Sequence, residues 1–418
     1  MLFNKYKLNV YQTIKLAKTW MQGVVNYISD IEYFPCEYKT NSDVPYGDER
    51  FVPLSGKIPG GKDNHSWIHF KFKTEDAEKY PHHKPYLRVR TSNIGTWDAL
   101  NPQGMLYLDG HLVSGLDINH TEYPLEFSKE YDAYIYFYTG MNDCPAYDFN
   151  AGVQYLDTLI EKLYYDLSVP YDASECFSED SDRSMLIMKY LEEACLMIDM
   201  RNIGSEEFYD SIRKADEFLE TEFYGKVCGE DNTLCEKVAL IGHTHIDVAW
   251  QWTYAQTREK TQRSFANVLS LMNQYPEFKF MSSQAQLYKY LKEEDPNTYE
   301  RVKEAIKEGR WESEGAMWVE ADCNLIGGES MIRQVTTGKK FFKDEFGVDH
   351  KILWLPDVFG YSAAMPQILK KAGVTSFVTS KISWNEDNKM PFDTFWWKGI
   401  DGSEMFTYFI TAQDHGSP

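Results

Sequence analysis

Lys237-Val-Ala-Leu-Ile-Gly242-His243-Thr244-His245-Ile246-Asp247-Val248-Ala249-Trp250 opens the part of the chain whose periodicity decides the fold. The apolar run 237–242 predicts a buried strand, and the polar residues after it fall at the strand's C-terminal end. The unit then repeats with helices between the strands. Helices are predicted over 254–275, 297–308, 329–346 and 363–372, and strands over 278–282, 310–313, 350–355 and 376–379. Strict alternation of strand and helix predicts a mostly parallel sheet, and in such sheets chemistry gathers at the C-terminal strand ends.

N-terminal to this region the period differs. Val10, Ile14, Leu16, Trp20, Val24, Val25 and Ile28 recur at helical spacing and predict an opening helix over 8–30. From about 65 to 140, short runs such as Trp67-Ile-His-Phe-Lys-Phe72 and Tyr86-Leu-Arg-Val-Arg90 alternate between turn residues, which predicts an antiparallel β-sandwich. Helical spacing returns over 150–225. The chain is therefore read as α/β plus all-β in three portions: an N-terminal helix and β-sandwich at 1–150, a helical linker at 151–232, and an α/β portion at 233–418. Gly56-Lys-Ile-Pro-Gly-Gly61-Lys62 has the spacing of a phosphate-binding loop. Asp63 stands where a hydroxyl should bind Mg²⁺, and the next segment alternates like a strand, so nucleotide binding is rejected.

The 418 residues carry 43 Lys and Arg against 64 Asp and Glu, a net charge of −21. That balance excludes a nucleic-acid binder and disfavours an anionic membrane as partner. No apolar run approaches the ~18 residues that a membrane span requires. The start of the sequence has polar interruptions where a signal-peptide core would lie, so a soluble, cytoplasmic protein is expected. The seven cysteines are scattered without a CxxC pair and read as reduced thiols.

His243, His245 and Asp247 are spaced by two, so in an extended segment they leave one face, and two imidazoles beside a carboxylate suit Zn²⁺. A structural histidine is the commoner occupant of any one such position. Trp354-Leu-Pro-Asp357-Val-Phe359-Gly-Tyr-Ser362 sets Asp357 at the mouth of a later strand, where it either joins Asp247 or caps the following helix. Trp318, Glu320 and Asp322 sit at a strand's end, where ligand contact and burial as core or second layer are both open. Lys381, after the 376–379 strand, stands at a strand mouth where it could meet a ligand, although a solvated lysine is the ordinary expectation.

With these residues assembled, the chain resembles glycoside hydrolase family 38, the α-mannosidases of the cytosolic and bacterial branch. The resemblance rests on His243-Thr-His-Ile-Asp-Val-Ala-Trp250, Gly315-Ala-Met-Trp-Val-Glu-Ala-Asp322 and Leu355-Pro-Asp-Val-Phe-Gly-Tyr-Ser362, in order and at separations close to the family's. It implies a catalytic (β/α)7-type barrel. It also implies a zinc ion held by His245, or alternatively His243, with Asp247 and Asp357. Asp357 would double as nucleophile. Trp250 and Phe359 would line the sugar site, with Trp318 and Asp322 as further substrate contacts. Glu320 and Lys381, together with His243 if it is no ligand, would form the layer behind. Co²⁺ or another divalent ion could replace zinc.

The implied reaction is retaining hydrolysis of terminal α-linked mannose from oligosaccharides through a glycosyl-aspartate, with zinc gripping the sugar hydroxyls. Asp387, Asp393 and Asp414 follow Asp357 but match no acid motif, so the general acid/base and a fourth ligand are expected beyond residue 418, and the chain reads as an incomplete fragment. Two alternatives stay open: a metal-dependent carbohydrate deacetylase or other zinc hydrolase, and a non-catalytic sugar-binding fragment. A homo-oligomer is compatible with either.

Overall fold

The computed structural model describes residues 2–37, 44–92, 95, 98–179, 181–229, 239–381, 387–388 and 390–410. The first helix, α1, spans Leu2–Trp20. It is followed directly by a strand, β1 (Val24–Tyr27), so the helix predicted over 8–30 begins earlier and stops ten residues sooner. Gly23, at φ +55°, makes the break, and a side chain there would meet the Tyr155 carbonyl.

Ten strands follow: β2 (Ile31–Cys36), β3 (Val52–Pro53), β4 (Lys57–Pro59), β5 (His65–Lys73), β6 (His83–Thr91), β7 (Gln103–Leu108), β8 (His111–Leu116), β9 (Glu122–Pro124), β10 (Glu130–Tyr138) and β11 (Ala146–Asp157). They form two antiparallel sheets, ordered β3-β2-β5-β10-β7-β8 and β1-β11-β6-β9, with β4 paired on β11. The Gly56–Lys62 decoy thus contains the short strand β4 at Lys57–Pro59. Ile68, Phe70, Leu106 and Ile135 of the first sheet meet Leu87, Val89, Phe149 and Ala151 of the second.

The other face of the six-stranded sheet is buried too. Phe34, Trp67, Met105, Tyr134 and Tyr136 pack there with Ala266 of a later helix. This is why β10 reads Tyr-Ile-Tyr-Phe-Tyr over 134–138, with both faces apolar.

Asp157 ends β11 and caps α2 (Thr158–Glu175), accepting from the Leu159 and Ile160 amides. With α3 (Asp182–Met197), α4 (Glu206–Phe218) and a π-helical turn at Leu219–Val227, it packs against α1 around Val10, Leu163, Leu191, Phe208 and Ile212.

The remaining strands are short: β12 (Gly242–His243), β13 (Phe280–Met281), β14 (Trp311–Glu312), β15 (Ile352–Trp354), β16 (Ser376–Thr379), β17 (Thr394–Lys398) and β18 (Glu404–Phe409). Of the run predicted as the first strand, 237 and 238 lie outside the described residues, and Leu240 and Ile241 are exposed, leaving only its end as β12. β12, β13 and β14 pair in parallel, as do β15, β16 and β18, with β17 antiparallel at the edge. A parallel bridge between Gly315 and Leu353 joins the two groups into one row.

Between the strands run α5 (Tyr254–Gln274), α6 (Ala285–Glu294), α7 (Pro296–Lys307), α8 (Gly328–Phe346) and α9 (Met365–Lys371). The architecture is thus mixed α/β with antiparallel sheets. Among the described residues, no helix is long and apolar enough to cross a membrane, and no disulfide joins the six described cysteines.

Helix α5 is the joint between the sandwich and the parallel row. Asn267 accepts from the Ser114 hydroxyl and the Gly115 amide, both at 2.7 Å. Gly115 has no room for a side chain, since its Cβ would lie 2.5 Å from the Arg263 Cβ. Arg263 itself bonds to Gln103, and Glu259 stands 3.6 Å from the His65 ring, all four side chains being buried.

Candidate active site

The loop after β12 carries His245 and Asp247 and is fastened from α5. The Thr257 hydroxyl donates to the Val248 carbonyl at 2.5 Å, and the Trp252 indole N–H to the Asp247 carbonyl at 3.3 Å. Thr253, whose hydroxyl accepts from the Gln256 amide, starts the helix. The end of β13 continues into Ser282, Ser283 and Gln284. Gly315, at φ +150°, runs so close that a Cβ would lie 2.4 Å from that of Ser283. Beyond β15 comes Asp357, and the Ser380 hydroxyl donates to the carbonyl of Pro356. Three strand ends therefore deliver their polar residues to one mouth.

His245, Asp247 and Asp357 meet there, each offering a donor atom within 4.8 Å of the other two. The His245 Nε2 lies 3.3 Å from Asp247 Oδ1 and 3.6 Å from Asp357 Oδ2. Its Nδ1 faces Glu320 Oε2 at 2.8 Å. Asp357 turns its other oxygen, Oδ1, to the ammonium of Lys381. The Lys381 and Glu320 side chains are each 5% exposed, so neither contact is a surface ion pair of negligible worth.

Burial opposes the charged form of His245, but Glu320, followed by Asp247, outweighs it and holds the imidazole up at about 10. The cluster is thus a concentration of negative charge around one imidazole nitrogen. Nitrogen and carboxylate oxygen donors at this spacing could hold a divalent cation.

His243 stands differently. Its Nδ1 is 3.0 Å from the Met281 carbonyl and its Nε2 accepts from the Trp354 indole N–H at 3.2 Å, so both ring nitrogens are engaged. Burial holds its pKa below the ordinary value, consistent with a neutral ring.

Asp357 caps no helix: α9 begins at Met365 behind Ala364, without a side-chain cap. Lys381 is not the solvated lysine expected from its strand-end position, because Asp357 draws it into the protein. Its ammonium also lies 4.7 Å from the centre of the Phe359 ring. Phe359 and Trp250 are exposed, and Trp250 stands edge-on to Trp252. Trp318 donates to Gln286 and packs edge-on against Phe341, contacts with α6 and α8. Asp322 accepts from the Asn324 amide in a tight turn. Asp387 and Asp393 are exposed, while Asp414 lies outside the described residues.

Ser283 and Gln284 were missed from the sequence. Ser283 donates to Glu320 Oε1 at 2.7 Å. Gln284 accepts from the Glu320 amide and donates to the Ile246 carbonyl. Their place just after the predicted 278–282 strand was the available signal.

A known family matches the region that carries this cluster. Residues 236–418 match the glycosyl hydrolases family 38 N-terminal domain. Alpha-mannosidase G of Dictyostelium discoideum is 40% identical over 256 residues, 61% of this chain and 23% of that protein. Alpha-mannosidase of Saccharomyces cerevisiae is 42% identical over 219 residues, 49% of this chain and 20% of its own. Alpha-mannosidase 2C1 of Mus musculus is 36% identical over 257 residues, 62% of this chain and 24% of its own. The chain thus matches less than a quarter of the length of each of these relatives. The residues that match the family 38 N-terminal domain, 236–418, hold the whole His245, Asp247 and Asp357 cluster.

Proposed function

We propose that this chain is the metal-holding, nucleophile-bearing part of a retaining α-mannosidase that removes terminal α-linked mannose from oligosaccharides. The observation that carries the proposal is the convergence of His245, Asp247 and Asp357 at one strand-end mouth. The donor set fits zinc, with His245 Nε2 and the two aspartates as the residues that would hold it. A zinc ion there would supply a Lewis-acid grip on the vicinal 2- and 3-hydroxyls of the sugar.

In this reading a carboxylate oxygen of Asp357 attacks the anomeric carbon as the glycosidic C–O bond breaks, forming a glycosyl ester. The departing oxygen takes up a proton. Water then attacks the same carbon and frees Asp357, so configuration is retained overall. The Lys381 ammonium, in contact with Asp357 Oδ1, holds that carboxylate in place at the mouth. Trp250 and Phe359, both exposed, offer rings for a sugar face. The proton donor is assigned to no described residue, and we place it in the part of the relatives' length that this chain does not match. We read the parallel row from β12 to β18 as part of a (β/α)7-type barrel, with 1–150, 151–232 and 233–418 as its sandwich, helical and catalytic portions. The Gly315–Leu353 bridge supports that reading.

The test is covalent trapping. The intact protein is incubated with a slow fluorinated α-mannosyl donor, digested and mapped by mass spectrometry. A mannosyl adduct on Asp357 is expected. Turnover of mannosides with no adduct there would overturn the nucleophile assignment, and deacetylation of amido sugars without any adduct would favour a hydrolase that activates water.

A further inference from the structure

We propose that Glu320 is a positioning residue for the cation site, selecting which nitrogen of His245 is presented to it, and that Ser283 and Gln284 brace Glu320 for that task. The inference rests on the metal-site reading above.

His245 has two chemically similar ring nitrogens, and a neutral imidazole carries its proton on either. Only Nε2 lies beside Asp247 and Asp357; Nδ1 lies 2.8 Å from Glu320 Oε2. Once a cation displaces the proton on Nε2, the Glu320 carboxyl at that distance keeps the remaining proton on Nδ1, so that the Nε2 lone pair is the one directed at the two aspartates. It also makes the ring a stronger donor, as outer carboxylates do for metal-bound histidines in general.

Glu320 in turn has little freedom. Its Oε1 accepts from the Ser283 hydroxyl at 2.7 Å, its backbone N–H donates to Gln284 Oε1 at 3.3 Å, and its side chain is 5% exposed. Gln284 holds the third corner by donating to the Ile246 carbonyl at 2.9 Å, next to His245 itself. It does so with φ at +65°, a left-handed conformation that costs a non-glycine residue about 1–2 kcal/mol. Two hydrogen bonds that tie the His245 loop to the Glu320 segment offset that cost. A glutamate buried for packing alone would need neither the serine nor the strained glutamine behind it.

The experiment measures zinc affinity of the whole chain by competition with a chromophoric chelator, together with the visible spectrum of the Co²⁺-substituted protein. Wild type, His245→Ala, Glu320→Ala, Glu320→Gln and Ser283→Ala are compared, with circular dichroism as the check on folding. Glu320→Ala is expected to weaken zinc by about 10–100-fold and shift the Co²⁺ bands. Glu320→Gln, which keeps an oxygen or nitrogen close to Nδ1 but removes the carboxyl, is expected to fall between it and wild type. Ser283→Ala is expected to lose a few-fold.

A folded Glu320→Ala protein with wild-type affinity and spectrum would overturn the proposal. If Glu320→Ala does not fold, wild-type affinity in both Glu320→Gln and Ser283→Ala overturns it. Failure of the underlying site looks different: wild type binds no zinc, or His245→Ala binds it unchanged.

Discussion

Two glycines of α8 should respond to the same substitution with opposite sign. Gly338 faces the segment leading to Glu320, and an added Cβ would lie 2.4 Å from the Ala316 oxygen, 2.4 Å from the Met317 carbonyl carbon and 2.6 Å from the Trp318 nitrogen. Gly328, at the start of the same helix, has nothing within 4 Å of that position. In an open helical site glycine to alanine gains up to about 1 kcal/mol. At Gly338 the obstacle is backbone, which has no rotamer to yield, so an overpacking cost near the upper end of about 1–3 kcal/mol applies. Gly338→Ala should therefore lose about 2 kcal/mol net while Gly328→Ala is neutral or gains. Urea denaturation followed by tryptophan fluorescence reads both. The 316–319 segment is also held to α8 by Gln334, whose carbonyl accepts from the Trp318 amide and whose side chain accepts from the Val319 amide, so displacing the segment should move Glu320 and weaken zinc binding as well. A Gly338→Ala protein as stable as Gly328→Ala would refute the packing on which this reasoning stands.

Asn267→Ala removes the acceptor of the Ser114 hydroxyl and the Gly115 amide, and should destabilise by about 1–3 kcal/mol; an unchanged urea midpoint would count against the α5 joint. Burial, partly offset by Arg263, holds the Glu259 carboxyl up at about 8 against an ordinary 4.5. The folded state then keeps a proton that the unfolded chain loses, so this group's contribution is full below pH 4.5 and is lost as pH rises through 8. Glu259→Gln lacks that loss, and its stability relative to wild type should climb by up to a few kcal/mol from pH 5 to 8. A difference that is flat with pH would remove Glu259 from the argument. His243→Ala should retain measurable zinc while His245→Ala loses it; equal loss in both would reopen His243 as ligand.

Much of this was legible because the apolar runs near 280, 311, 352 and 376 are punctuated by polar strand ends, and their order fixes a parallel row. The metal candidates were legible for the same reason, since spacing by two in an extended segment fixes a shared face. The opening helix was misjudged because Val24 and Val25 continue its spacing beyond Gly23, where the backbone turns away. Helix α6 was missed because Gln284 starts it with no capping side chain and a left-handed backbone, so no start signal exists in the residue types. The burial of Lys381 depends on Asp357 across the sheet mouth, which local sequence does not encode. The same holds for the links among Ser283, Gln284 and Glu320, whose partners come from different strand ends.

The burial of both faces of the six-stranded sheet bears on how the chain can be cut. Expressing residues 239–418 alone would strip α5 of its seat, leaving Ala266, Glu259 and Arg263 at a raw surface. The partner fragment would show Trp67, Tyr134 and Tyr136 to water. Both pieces would be prone to precipitate, although the change of sequence period near residue 237 invites the cut there. The unit that a protein chemist can isolate is thus larger than the unit that a family resemblance outlines.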